Sequence, residues 1–106
     1  MLKMPRIKLA WSTQAREHLR DIKAFIARNT PRTAIAYTKE LRRAPVKLKR
    51  FPELGAMVPE LNDPAIRELL HASHRIIYRY REKQVLILAV WRASRPLDIR
   101  VLSEES

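Results

Sequence analysis

HRIIYRYREKQVLILAVWRASR, residues 74–95, decides how the rest of the chain must be arranged. Its first half alternates, with Arg75, Ile77, Arg79 and Arg81 on one face of an extended segment and Ile76, Tyr78 and Tyr80 on the other. Its second half, Val85 to Trp91, is almost wholly apolar, the pattern of a strand covered on both sides. The two read as an antiparallel pair joined at Glu82-Lys83. Neither of those residues favours positive φ, so the reversal is expected to need more than two residues. Arg75, Arg79 and Arg81, with Arg92 and Arg95 following on the neighbouring strand, are expected to form an open basic sheet face that holds an anionic partner.

Working back from this pair, Ile66 to Ala72 reads as a further strand, preceded by a turn at Asn62-Asp63-Pro64. Residues 51–61, FPELGAMVPEL, contain two prolines and the only glycine and read as a structured loop. Upstream lie two helices. The first is capped by Ser12 or Thr13 and buries Ala15, Leu19, Ile22 and Ile26; the second starts at Thr30-Pro31 and buries Ala34, Tyr37, Leu41 and Leu48. Pro45 removes one backbone donor and crowds the carbonyl of Leu41, which predicts a kink or an early end. Arg6 to Trp11 is a first short strand, and LDIRVLSEES after Pro96 is a short strand or a turn. The predicted fold is α+β: an N-terminal strand, a helical hairpin, then an antiparallel sheet of three to four strands (β-α-α-β-β-β). The length, 106 residues, suits a single domain spanning 1–106.

Composition narrows the function. Twenty-two Lys and Arg against eleven Asp and Glu give a formal charge of +11, which calls for nucleic acid, an acidic protein or an anionic surface as partner. No cysteine is present, so disulfides and thiolate chemistry are excluded, in keeping with a reducing cytoplasm. One glycine cannot build a phosphate loop. No segment has the length and apolarity of a membrane span or a secretory signal. His71 and His74 are expected on opposite faces of one strand, with His18 remote and no acidic cluster nearby, so no metal site and no cofactor is predicted. Glu40, Glu53, Glu60 and Glu68 show no spacing of a catalytic pair. Trp91, closing an apolar strand, reads as core. The run containing Arg42, Arg43, Lys47, Lys49 and Arg50 reads as a solvated helix end or as a set of phosphate contacts.

In the order FPELG (51–55), RELL (67–70), HRIIYRY (74–80) and VLILAVWRASR (85–95), after a helical hairpin, the sequence resembles the RelE/ParE superfamily of bacterial type II toxins. The resemblance implies a growth-inhibiting toxin of a toxin–antitoxin (plasmid stabilisation) module, neutralised by a cognate antitoxin whose extended C-terminal segment wraps it. RelE-like members cut messenger RNA on the ribosome with lysines on the strand before the Arg75 position and with basic and tyrosine residues near the C-terminus. Here that strand, RELLHAS, offers Arg67, Glu68 and His71 but no lysine, and no Tyr or His follows Arg95. ParE-like members carry a Val-x-His-x-x-Arg pattern at the end of the last long strand. VWRASR matches it at Val90 and Arg95, with Arg92 in place of the histidine. The resemblance therefore implies a ParE-like toxin that binds an intracellular target such as DNA gyrase. Its alternatives are a RelE-like, metal-independent mRNA endonuclease and a non-toxic basic nucleic-acid-binding domain. On this reading Arg75, Arg79, Arg81, Arg92 and Arg95 contact the target or the antitoxin.

Overall fold

The computed structural model describes residues 6–103. Strand β1 (Lys8–Trp11) leads into α1 (Thr13–Ala27) and α2 (Pro31–Arg43), followed by a 3₁₀ turn at Ala44–Lys49. Strands β2 (Ala56–Met57), β3 (Ile66–His71), β4 (His74–Arg81) and β5 (Gln84–Arg92) complete the sheet, and a second 3₁₀ turn spans Ile99–Leu102. The α+β class and the element order follow the sequence expectation. The sheet is larger and mixed, with five strands in the order β1-β5-β4-β3-β2. β1 lies parallel to β5 because the helical hairpin carries the chain across the sheet before the later strands form, and β2 adds two residues against Arg67 and Glu68. The tail after Pro96 is a turn, with Asp98 accepting from the Arg100 backbone N–H; its expected last residues, 104–106, lie outside the described ones, as do residues 1–5.

Local chemistry places the helices. Ser12 caps α1, its Oγ accepting from the Ala15 N–H at 3.0 Å while donating to the Leu88 carbonyl at 3.2 Å. One side chain thus starts the helix and ties it to β5. Pro31 occupies the first position of α2, but Thr30 makes no side-chain cap. At Pro45 the α-helix tightens into the 3₁₀ turn, as the proline demands.

Two apolar layers flank the sheet. Ala15, Leu19 and Leu41 of the helices and Leu48 of the 3₁₀ turn pack on Ile76, Tyr78, Val85, Ile87 and Val90. On the other face Val58 and Leu102 cover Ile77, Leu86, Leu88 and Ala89. Each of the larger aliphatic side chains among them contributes about 2 kcal/mol relative to exposure. The face away from the helices is therefore substantially covered, which corrects the expectation of an open one.

Three backbone details set the register. Glu82 and Lys83 both take positive φ (52° and 59°), so a two-residue turn joins β4 and β5 despite unfavourable residues. Ala72 does the same (51°) between β3 and β4. Most consequential is a β-bulge: Ile77 pairs with Ala89 and Tyr78 with Ile87, leaving Leu88 as one extra residue on β5. Beyond it, every β5 side chain changes face.

Candidate functional site

The bulge separates the predicted arginines. Arg75 pairs with Trp91 on the face away from the helices, where it is only 8% exposed. Its guanidinium donates to both carboxylate oxygens of Glu60, at 2.8 and 3.1 Å, and through Nε to Glu68. That embrace depresses the Glu60 carboxyl below its ordinary range, the Arg75 hydrogen bond being the main cause, and pushes the arginine pKa further up. Arg79 shares this face, half-buried, and Arg81 is exposed at the hairpin end; each engages other groups. Arg92 pairs with His74 on the helix side, because the extra residue at Leu88 inverts the phase. Arg95 lies past the strand in a turn closed by its N–H to the Arg92 carbonyl. The expected single basic face is thus divided: Arg75, Arg79 and Arg81 stay on one face of β4, while Arg92 and Arg95 meet in a separate groove.

Those two line a groove of about 800 Å³ between α1, the start of α2, the β3–β4 turn and the end of β5. The Arg92 guanidinium sits over the Phe25 ring at 5.6 Å, and that of Arg95 over the Trp91 indole at 4.7 Å. Stacking of this kind contributes about 0.5–1 kcal/mol and holds each side chain in place while leaving its N–H edge for a ligand. Ile22, Ile26 and the 55%-exposed Phe25 give the groove an apolar wall. Trp91, expected as core, is half-buried, packed on the second layer and exposed to the groove on its other side.

The histidines gather here as well. His71 and His74 are not on opposite faces of one strand: they flank the two-residue turn, pair across it, and both meet Tyr37 of α2, with ring centroids 5.8 and 5.5 Å away. The Tyr37 hydroxyl and His74 Nδ1 are 2.7 Å apart, and His71 Nε2 reaches Glu40 at 3.0 Å. Burial, then Arg92 and His71, push the His74 pKa down. His18 is also lowered, chiefly by burial, and its Nδ1 accepts from the Val90 N–H. β1 ends opposite Ile87, so the outer edge of β5 beyond that point lacks a strand partner. Side chains of the Ser12–His18 stretch take its place: Ser12 and Gln14 donate to the Leu88 carbonyl, and His18 caps Val90. Sequence reasoning missed Tyr37, His18 and Phe25 as site residues; the signal available was two histidines bracketing a two-residue turn. Among the described residues no cluster is placed to hold a metal ion, and no helix is long and apolar enough to cross a membrane. Two stacked cations and an apolar wall suit a segment carrying both carboxylates and apolar side chains.

The fold has relatives among solved structures. A chain from the chromosomal ParDE toxin–antitoxin system of P. aeruginosa superposes with a TM-score of 0.74 at 21% identity, covering 86% of this chain and 100% of the other. A chain of the toxin–antitoxin complex RelBE2 from Mycobacterium tuberculosis gives 0.55, also at 21% identity, covering 82% and 98% respectively. No curated protein sequence matches. The family described as the ParE toxin of type II toxin–antitoxin system, parDE, matches residues 9–97. That span runs from β1 through the groove arginines to the turn beyond β5, and by it the chain belongs to the ParE toxin family of type II toxin–antitoxin systems.

Proposed function

We propose that this chain is the toxin of a plasmid-stabilising toxin–antitoxin pair. It arrests growth by binding an intracellular, cytoplasmic target such as DNA gyrase, and a cognate antitoxin restrains it by laying an extended C-terminal segment in the groove at Arg92 and Arg95. The observation that carries a binding mechanism over RNA cleavage is the state of Arg75. A nuclease would use that guanidinium to meet a phosphate, yet two carboxylates already hold it. Tyr78 is no substitute as acid or base, since its hydroxyl donates to the Pro52 carbonyl and accepts from the Gly55 N–H inside the core.

The test is inducible expression with two readouts. Growth arrest accompanied by DNA-damage (SOS) induction, with intact messenger RNA by primer extension, is the expected result, and co-expression of the antitoxin restores growth. Unhindered growth would sink the toxin reading. Ribosome-dependent cuts in messenger RNA without SOS induction would replace gyrase with the endonuclease alternative.

A further inference from the structure

At the far end of the helical hairpin from the groove, α2 closes with Arg42 and Arg43, the 3₁₀ turn adds Lys47 and Lys49, and Arg50 follows it directly. All five are exposed, and none lines the groove described above. Among the described residues, none has an ion-pair partner. Arg42 also shares the wall of a shallow cleft with Arg16 of α1, which extends the row by one cation. The last carbonyls of α2 account for Arg42 and Arg43, whose charges complement the helix dipole, but not for three further cations beyond the helix end.

We propose that this row is a second, sequence-independent docking surface for the phosphate backbone of duplex DNA. Two residues of α-helix and six of 3₁₀ turn span roughly 15 Å between Arg42 and Arg50. A duplex presents roughly one negative charge per 1.7 Å of axis, so a row of that length meets several phosphates at once and releases their counterions. Single-stranded sites interleave several stacking aromatics, whereas residues 42–51 offer Phe51 alone, with Arg50 5.8 Å from its ring. Double-stranded RNA readers bridge successive minor grooves over about 16 base pairs, farther than this row extends. Val46 and Phe51 are its exposed apolar side chains, too few for an inserting membrane face. The surface stands independently of the groove and of the antitoxin reading.

The experiment is fluorescence anisotropy of the purified full chain with a labelled 20-base-pair duplex of arbitrary sequence, across a salt series. With about four phosphate contacts, the affinity should fall with a log–log slope near −4, roughly two orders of magnitude between 50 and 200 mM salt. Lys47→Gln/Lys49→Gln/Arg50→Gln should weaken binding at least tenfold and flatten the slope by two to three units. Arg92→Gln/Arg95→Gln, in the groove, should bind the duplex as wild type does. Circular dichroism confirms folding, and if the triple variant is unfolded the pair Arg42→Gln/Arg43→Gln serves instead. The inference is overturned by absence of duplex binding at 50 mM salt, by a triple variant that binds like wild type, by tighter binding to a single strand of the same length, or by binding to phosphatidylserine vesicles without binding to duplex.

Discussion

Arg75 and Arg92 sit on adjacent strands one pairing step apart, and they do opposite things. Arg75 lies across from Trp91 and faces away from the helices, held by Glu60 and Glu68. Arg92 lies across from His74 and faces the helices, stacked on Phe25, with no ion pair to a carboxylate among the described residues. One extra residue at Leu88 sends them to different faces. Residue type made both look like ligand-binding groups; backbone register made one a clamp that fastens the 58–61 loop to the sheet and put the other at the groove.

If that contrast is right, Arg75→Ala has the largest effect on folding. It leaves the mostly buried Glu68 and the exposed Glu60 without their shared cation, which costs about 3 kcal/mol, with the exposure of Glu60 moderating the loss. Urea unfolding should show a lower midpoint with an unchanged slope. An Arg75→Ala protein of wild-type stability and lost toxicity would instead make Arg75 a contact residue and undo the comparison.

Next in size is Gly55→Ala. A Cβ there would stand 2.6 Å from the Glu68 carbonyl oxygen and 2.8 Å from the Tyr78 hydroxyl, both fixed by the sheet. The loop must then move off Tyr78 and break the Gly55 N–H bond, a loss of about 2 kcal/mol. It breaks the same loop-to-sheet attachment as Arg75→Ala from the opposite end. A Gly55→Ala protein with an unchanged urea midpoint would show that the loop is not held there.

On the groove side, Arg92→Ala and Arg95→Ala should alter stability by no more than about 1 kcal/mol, since both are exposed and each loses only one ring stack. Their effect belongs in binding: each should weaken antitoxin affinity about tenfold, or about 1.4 kcal/mol, by isothermal titration calorimetry. Unfolding of either variant by circular dichroism would make it structural and erase the distinction from Arg75.

How much of this was legible beforehand depends on whether the deciding interaction is local. Ile76 and Tyr78 alternate with Arg75 and Ile77, so period two alone assigned them to the core. Ser12, Pro31 and Pro45 announced helix ends through their own backbone chemistry. The bulge at Leu88 left no trace in a uniformly apolar run, so Arg92 was placed with Arg75. Glu60 is fifteen residues from Arg75 in sequence and meets it only because the loop folds back. Glu82-Lys83 adopts positive φ against its residues' preference, because pairing on both sides outweighs the local cost. The fold was written in periodicity, whereas the site depended on where one unpaired residue fell.

The smallest effect separates the two arginines by titration. His74 is held below its ordinary pKa by burial, then by Arg92 and by His71, with the Tyr37 hydroxyl on its Nδ1 and Glu40 beyond on His71. The unfolded chain takes up a proton near pH 6.5, before the folded one does. The stability this histidine contributes is therefore complete above that pH and declines as pH falls toward its lowered folded value. His18 acts in the same direction, and Glu60, also lowered, adds its own loss only in a more acidic window, below its ordinary pKa of about 4.5. The urea midpoint should drop between pH 7.5 and 5.5, and His74→Gln should reduce that drop. In an NMR titration, Arg92→Ala should move the His74 midpoint upward by removing a nearby positive charge. Arg75→Ala should leave it in place, because that guanidinium lies across the sheet with its charge already balanced by two carboxylates. A His74 midpoint that responds to Arg75 and ignores Arg92 would mean the two side chains have been assigned to the wrong faces.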